Sequence, residues 1–546
     1  MTTNAFRTAL AYLRFSRGLR NLSEEKLTLD EARAIVRESL ARREERFLQF
    51  AERYVYGHPR SPYLSMLQMA GCELGDLRNM VQQKGLEPTL LALREAGVYV
   101  SFEEFKGREP IVRQGRVLDA QPSDFLDPAI SAYLVTQSSG STGRPTKTRM
   151  SLAGSFSPSS EALNLVFDDA HGLLGLPKAI WNPIPPASAG LSQILHGVRR
   201  GQVPKRWFTP GTPREMGSSV AYRLATYNLL FLLRCRGVPA PWPEAAPVSQ
   251  AIVVARWMAE ATSEHGGCIL NTYPSLALRV SLAAQEHGLD LSGATLTGAG
   301  EPISDAKWRG ITHSGARWVP YYAISEVGRV GSGCANPADG NDLHWLKGSM
   351  GLIQYPRPLP GCDISVNAFY YTSLRPNPPR ALLNVECDDF GDLEERHCGC
   401  PLEELGLTTH LRHINSFAKL TAEGMTVAGT AMVRILEEVL PGRFGGTGLD
   451  YQLQEEEDEQ GFTRLNLVVS PSVQLEDEQA LLHTVSEALR QSGSAEDLSQ
   501  SMWEQTQTLR VRRAEPIWGA GGKFLPLLRH GVWDRGVTER RERSER

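Results

Sequence analysis

The segment Gln137-Ser-Ser-Gly-Ser-Thr-Gly-Arg-Pro-Thr-Lys-Thr148 follows a short apolar run, Ile130 to Val135. The apolar run predicts a buried strand. Residues 138–143 are all small or hydroxylated, so they cannot build a core, and their glycines allow backbone angles closed to other residues. Consecutive N–H groups in such a loop can form a concave anion site, and Lys147 adds positive charge. The segment predicts a phosphate-binding loop after a strand; the alternative is a flexible Ser/Gly linker.

The composition of the chain is that of an ordinary globular protein. Its 546 residues are 41% hydrophobic and 22% charged, which favours two or more domains. The formal net charge of −4 gives no electrostatic basis for binding nucleic acid. Eight cysteines over this length do not form a secreted disulfide framework, so a cytoplasmic location is predicted. No apolar run reaches the roughly 18 residues that a transmembrane helix needs.

The order of helical and strand patterns predicts an α/β fold with helical extension, mixed sheets and a small C-terminal α+β domain. Residues 1–128 are mostly helical, and Pro88 is expected to divide the helical stretch Gly75 to Leu93. Over residues 129–410 helices alternate with strands beginning near Cys268, Thr295 and Trp318, which favours parallel strands with ligand loops at their carboxyl ends. Residues 411–530 form the predicted α+β domain, and 531–546 a charged tail.

Four later segments carry further glycine and polar motifs: Gly298-Ala-Gly-Glu-Pro302, Tyr322-Ala-Ile-Ser-Glu326, Phe390-Gly-Asp-Leu393 and Gly521-Gly-Lys-Phe524. Together with Ser139-Gly-Ser-Thr-Gly-Arg-Pro145, and in this order, they resemble the motifs of the adenylate-forming superfamily of acyl-CoA ligases, adenylation domains and luciferases. Thr146 follows the proline where most of the superfamily has lysine. That residue and the helical N-terminal portion resemble the phenylacetate-CoA ligase branch, to which acyl-protein synthetases are related.

The resemblance implies a role for each motif. Glu326 would hold Mg²⁺, and Lys523 would place its ammonium between the substrate carboxylate and the α-phosphate. Asp392 would bind the ribose hydroxyls of ATP, with the neighbouring Asp388 and Asp389 as alternatives for this role. Arg412 stands at the superfamily's hinge, but no hinge acid follows it, so the hinge residue stays open. The implied nucleotide-binding residues are Ser139, Gly140, Ser141, Thr142, Gly143, Lys147, Gly300, Glu301, Pro302, Tyr322, Ser325, Asp392 and Arg412.

The implied activity is ATP-dependent, AMP-forming activation of an aryl or fatty carboxylic acid, followed by transfer of the acyl group to a thiol, with CoA as the expected acceptor. One alternative is transfer to a protein thiol, as on a carrier protein. Another is adenylation of a different oxyanion with transfer to an amine. A degenerate nucleotide-binding scaffold is the alternative from outside the enzymes. The predicted acid pocket includes Trp181, Tyr273 and Ala299.

A second group of residues predicts a structural metal site. Three cysteines and one histidine make a closed tetrahedral site of the kind that binds Zn²⁺. Cys387 is an alternative ligand, and buried free cysteines are the alternative without metal. The predicted zinc ligands are Cys334, His344, Cys398 and Cys400.

Overall fold

The structure is a computed structural model that describes residues 2–24, 26–127, 130–137, 147–216, 218–324, 326–358, 365–416, 432–457, 463–490, 509–519 and 521–528. The predicted phosphate loop, including Ser139, Gly140, Ser141, Thr142 and Gly143, lies outside the described residues. Ser325 and the charged tail 531–546 also lie outside them.

The N-terminal part is helical, as predicted. Thr28 opens the second helix with a capping box, because its side chain and that of Glu31 each bond the other's backbone N–H. The predicted division at Pro88 is wrong: the chain breaks at Gly85, with φ of 80°, and Pro88 lies in the first turn of the next helix, where no N–H is needed. The helices are α1 (Thr2–Glu24), α2 (Leu29–Ala41), α3 (Arg43–Phe50), α4 (Pro62–Met69), α5 (Leu74–Lys84), α6 (Leu86–Glu95) and α7 (Phe102–Phe105).

Four short strands follow this helical part. They form two antiparallel pairs, and the second pair flanks the predicted phosphate loop. The pairs are β1 (Ile111–Arg113) with β2 (Arg116–Leu118), and β3 (Tyr133–Gln137) with β4 (Lys147–Ser151).

A large mixed sheet forms the body and confirms the predicted α/β fold class. Its order is β13-β14-β15-β16-β12-β11-β10-β9-β8-β5-β6-β7. The half from β10 to β7 is parallel and includes the strands predicted near residues 268, 295 and 318. Its strands are β5 (Lys178–Trp181), β6 (Arg206–Thr209), β7 (Pro243–Ala245), β8 (Cys268–Thr272), β9 (Ala294–Gly298), β10 (Arg317–Ile324), β11 (Gly328–Gly333), β12 (Leu343–Trp345), β13 (Met350–Pro358), β14 (Ser365–Ser373), β15 (Val385–Glu395) and β16 (Thr409–Ser416).

Helices of the body connect and cover the parallel strands, because strands that run in the same direction need crossover connections. Apolar side chains of α12, α13 and β8 share one buried cluster. The helices are α8 (Leu152–Ser155), α9 (Pro158–Ala170), α10 (Ala189–Arg200), α11 (Val220–Arg234), α12 (Ala251–His265), α13 (Pro274–Glu286) and α14 (Asp305–Thr312).

The C-terminal region has its own sheet and its own apolar cluster, as expected for a small α+β domain. The predicted start of this domain at residue 411 falls inside β16, which belongs to the large sheet. Two helices, Leu440–Phe444 and Glu478–Arg490, accompany the small sheet. Its strands, in the order β19-β18-β17-β20, are β17 (Tyr451–Glu457), β18 (Thr463–Val469), β19 (Leu509–Arg513) and β20 (Leu527–Leu528).

A buried ion pair joins the two parts: Lys307 Nζ on α14 lies 2.7 Å from Glu437 Oε1, and both side chains are almost fully buried. The C-terminal segment also returns to the body, where Phe524 packs in the same cluster as α13. In the part of the chain that the structure describes, no helix combines the length and apolar character needed to cross a bilayer.

Candidate functional site

A cavity of about 500 Å³ lies along the face of the large sheet, between β8–β10 and the helices α9 and α10. Its lining includes the carboxyl ends of β9 and β10, and parallel sheets bind ligands at the carboxyl ends of their strands. Of the predicted nucleotide, magnesium and acid-pocket residues, the described ones that line the cavity are Tyr273, Ala299, Gly300, Glu301, Pro302, Tyr322, Glu326 and Lys523.

Lys523 reaches the glycine turn from the far end of the chain. Its Nζ donates a hydrogen bond to the Gly300 carbonyl oxygen at 2.7 Å and lies 4.8 Å from the ring centroid of Tyr273. The lysine is 7% exposed. Its backbone is fixed on both sides, because Gly519 N–H donates to the Lys523 carbonyl and Phe524 N–H donates to Ser275 Oγ. The structure thus brings together two motifs that are more than 200 residues apart in sequence.

The glycine turn itself is held by the start of α13. The Glu301 carboxylate accepts hydrogen bonds from Ser275 N–H at 3.0 Å and from Ser275 Oγ at 2.9 Å. An acid at a helix N-terminus is stabilised by the free N–H groups there. Gly300 has φ of +88°, and a Cβ at this position would lie 3.0 Å from Lys523 Nζ. Glycine is therefore needed both for the turn and for the close approach of the lysine.

Glu326 is buried, 6% exposed, and its Oε1 atom lies 2.5 Å from Lys106 Nζ. Lys106 follows α7 and lines the same cavity. Sequence reasoning missed this lysine, since nothing in its local pattern distinguishes it from a surface residue. The carboxylate is of the oxygen-donor type that Mg²⁺ prefers, so Glu326 fits the predicted role chemically.

A tyrosine pair connects the cavity to β15. The Tyr322 hydroxyl donates to Asp389 Oδ2 at 2.5 Å and contacts the Tyr371 hydroxyl at 2.7 Å. Burial, with a further contribution from the Asp389 carboxylate, raises the pKa of Tyr322 well above its ordinary value. Both Asp388 and Asp389 line the cavity.

Other predicted residues lie away from the cavity. The Asp392 side chain is about 60% exposed and accepts from His413 Nδ1 at 2.7 Å. Arg412 forms ion pairs with Asp339 and Glu394, and Lys147 is exposed at the start of β4. Neither Asp392, Arg412 nor Lys147 is among the described lining residues. The register of β15 shifts twice near these acids, across residues 387–389 in its pairing with β14 and between Phe390 and Asp392 in its pairing with β16.

Two of the three predicted acid-pocket residues line the cavity and the third does not. Tyr273 and Ala299 line the cavity. Trp181 is fully buried in the core, where its Nε1–H donates to the Ala246 carbonyl at 2.9 Å, and it does not line the cavity.

The predicted zinc ligands come together in the structure. The potential ligand atoms of Cys334, His344, Cys398 and Cys400 all lie within 4.8 Å of one another. His344 Nδ1 is 2.6 Å from the Leu407 carbonyl, so this nitrogen carries the proton and Nε2 presents its lone pair to the sulfurs, with Cys400 Sγ at 3.1 Å. Cys387, the alternative ligand, lines the cavity instead.

The chemistry of this donor set fits a closed zinc site. The hydrogen bond between the Cys334 and Cys400 thiols lowers the pKa of Cys400 and raises the pKa of Cys334. The site joins β12 to the turn after β15. A metal there would hold the sheet together and would not touch the cavity residues named above.

Comparison with known proteins gives similarities at the level of solved structures. No protein-family model and no curated protein matches the chain. An anthranilate CoA ligase, AuaEII, in complex with anthranoyl-AMP matches at 10% identity over 88% of this chain and 80% of that chain, with a TM-score of 0.36. O-succinylbenzoate coenzyme A synthetase from Bacillus subtilis, in complex with ATP and magnesium ion, matches at 11% identity over 80% of both chains, with a TM-score of 0.40.

A fatty acyl-adenylate ligase from L. pneumophila, in complex with acyl adenylate and pyrophosphate, matches at 12% identity over 76% of this chain and 69% of that chain, with a TM-score of 0.33. By their names, these solved structures are two ligases and a synthetase, bound to an acyl adenylate or to ATP. At such identities and TM-scores, the likenesses say nothing about which acid or acceptor this chain uses.

Proposed function

We propose that the chain is an AMP-forming ligase, which uses ATP to convert a carboxylic acid to its acyl adenylate and then transfers the acyl group to the thiol of CoA. The observation that supports this best is the position of Lys523 against Gly300 and Tyr273, inside a cavity that also contains Glu326. A buried ammonium beside a glycine turn suits a reaction in which a carboxylate attacks a phosphate.

The chemistry explains why these residue types are needed. A carboxylate is a poor electrophile. Attack of its oxygen on the α-phosphate of ATP breaks the bond between that phosphorus and the bridging oxygen, releases pyrophosphate and gives an acyl adenylate, a mixed anhydride. AMP is then a good leaving group when a thiol attacks the acyl carbon. Both reactants are anions, so the protein must position them and neutralise their charge. Lys523 would lie between the two anions. Mg²⁺ held by Glu326 would supply further neutralisation of the phosphates.

Two cavity residues extend this assignment. Lys106 contacts Glu326, so a second ammonium lies next to the proposed magnesium ligand. Asp389 lines the cavity beside Tyr322, whereas Asp392 does not, so we assign the ribose-binding acid to Asp389. An ionised carboxylate forms strong hydrogen bonds with hydroxyl donors, which suits the ribose diol.

The experiment that tests the proposal has two stages. Purified protein is first incubated with ATP, Mg²⁺, labelled pyrophosphate and each member of an acid panel, and acid-dependent formation of labelled ATP is measured. Acids that support exchange are then assayed for AMP release and thioester formation with and without CoA. If pyrophosphate exchange is observed but no thioester forms with CoA, the proposed adenylation step stands and the proposal that CoA is the acceptor is wrong. No exchange with any acid would overturn the whole proposal.

A further inference from the structure

Charged side chains gather at the end of the cavity opposite the glycine turn. Lys178 begins β5, Asp168 lies near the end of α9, Arg200 ends α10, and Arg329 belongs to β11. All four line the cavity. Lys178 pairs in register with Ile269, four residues before Tyr273, so the cluster lies ~13 Å along the sheet from the Lys523 end.

The acids of this cluster already have partners. Arg200 forms a short ion pair with Asp168, and its Nε lies 3.7 Å from Glu161 Oε2. Glu161 is 1% exposed and also lies 2.5 Å from His196 Nδ1. Both carboxylates therefore already have contacts within the cluster, Asp168 with Arg200, and Glu161 with Arg200 and His196.

Two cations of the cluster have no carboxylate partner among the described residues. Lys178 Nζ donates to the neutral Gln193 Oε1 at 2.9 Å. The guanidinium of Arg329 stacks on Phe167 and Tyr321, at 5.0 and 4.5 Å from their ring centroids. Its buried Nη1 atom has no hydrogen-bond partner within the described part of the chain.

Lys178 and Arg329 are partly buried, and removing cations from water without a carboxylate in direct contact is unfavourable. Desolvation, reinforced by the nearby Arg200, lowers the pKa of Lys178 to about 7. An anionic ligand at this end of the cavity would remove the imbalance and supply an acceptor for Arg329 Nη1.

Resting on the proposed function, we infer that the acid substrate carries a second anionic group, which Lys178 and Arg329 bind while the first carboxylate reacts near Lys523. The substrate class is thus a dicarboxylic acid whose two carboxylates are separated by several bonds. The cavity lining includes both neutral polar side chains, such as Asn164 and Asn271, and apolar ones, such as Phe167 and Ile269, so either an aryl or an alkyl spacer between the two carboxylates fits the inference.

The rival explanation is that the cluster binds phosphates of ATP. The two explanations assign the cations to different substrates, so they predict that a different KM value rises when a cation is removed. A variant that lacks Lys178 raises KM for the acid if the inference is right, and raises KM for ATP if the cluster belongs to the nucleotide.

The test uses acid-dependent pyrophosphate exchange with isophthalate, homophthalate, glutarate and adipate, each against its monomethyl ester and against benzoate and octanoate. With the wild-type protein we expect the kcat/KM of at least one diacid to be roughly 10- to 100-fold higher than that of its monomethyl ester. This is the size of effect expected when the ester loses one charge-assisted hydrogen bond to the cluster. Lys178→Met should raise KM for that diacid by a similar factor and leave KM for ATP unchanged. Lys178→Arg should restore part of the loss.

Arg329→Gln should act in the same direction, which keeps the test valid if one variant fails to fold. Lys205→Met is the matched control, since Lys205 is exposed near β6 and lies outside the described cavity lining. Monoacids that react as well as every diacid, or a KM effect confined to ATP, would overturn the inference while adenylation stands. Absence of exchange with all these acids and with a wider panel would instead refute the proposed function itself.

Discussion

Lys523 Nζ donates a hydrogen bond to the carbonyl oxygen of Gly300, at 2.7 Å. The lysine lies near the C-terminus and the glycine follows β9, so the contact closes the cavity with a segment from outside the body. The C-terminal segment is therefore part of the site, and the site is complete only when this segment is docked on the body.

Gly300→Ala should displace Lys523, because the new Cβ would lie 3.0 Å from Nζ on a residue with φ of +88°. We expect the rate of exchange to fall by about tenfold or more, since the ammonium moves away from the reacting groups. Gly288→Ala is the control: Gly288 has φ of +65° but open space around its Cβ position. Equal loss of activity in both variants would mean that backbone strain alone, and not the lysine contact, is responsible.

The two candidate ribose acids can be compared directly. Asp389→Asn removes the carboxylate that accepts from Tyr322 in the cavity, and we expect KM for ATP to rise by roughly 10- to 100-fold. Asp392→Asn changes an exposed side chain that contacts His413, so KM for ATP should stay within about twofold of the wild-type value. Steady-state kinetics of AMP release measure both, and the opposite order of effects would restore Asp392 as the ribose ligand.

The cysteine–histidine cluster predicts about one zinc ion per chain in protein purified without chelator. Cys398→Ser removes one ligand atom and should lower both the zinc content and the melting temperature by several degrees. Cys235→Ser is the matched control, because Cys235 is exposed and lies outside the cluster. Elemental analysis measures the zinc content, and thermal unfolding measures the melting temperature. A wild-type protein that contains no metal and melts at the same temperature as Cys398→Ser would rule out the site.

The burial of His171 leads us to predict that the folded protein loses stability at acid pH. Burial lowers its pKa to about 4, and its ring contacts the Gly333 carbonyl at 3.0 Å. As pH falls from about 6.5, the unfolded chain binds a proton that the folded chain accepts only near pH 4, so stability falls through this window. At pH 5 the cost is on the order of 2 kcal/mol.

His171→Gln should therefore reduce the drop in urea midpoint between pH 7 and pH 5, whereas the exposed His265→Gln should leave it unchanged. Urea unfolding followed by circular dichroism measures both. A drop that is the same in His171→Gln as in the wild-type protein would show that other groups control the acid sensitivity.

Local patterns predicted most of the elements that position the site. The strand–loop signals near residues 268, 295 and 318 became β8, β9 and β10, because continuous apolar runs in parallel strands are distinctive. Motif order also predicted that Gly300 and Lys523 serve one site, and the structure places them in contact.

Other features could not be read from sequence because they depend on distant contacts. Lys106 meets Glu326 only through the packing of α7 on the large sheet. The charged cluster at Lys178 and Arg329 combines residues from four separate elements with no shared motif. Asp392 matched the expected motif, but Asp388 and Asp389 line the cavity and Asp392 does not.

The most direct test of adenylation at this site is acid-dependent exchange of labelled pyrophosphate into ATP by the wild-type, Lys523→Ala and Lys205→Ala proteins. We predict exchange that requires an acid, a fall of about 100- to 1000-fold in Lys523→Ala by analogy with removal of an oxyanion donor, and no change in Lys205→Ala. Exchange by Lys523→Ala at the wild-type rate, or none by the wild-type protein with any acid, would contradict it.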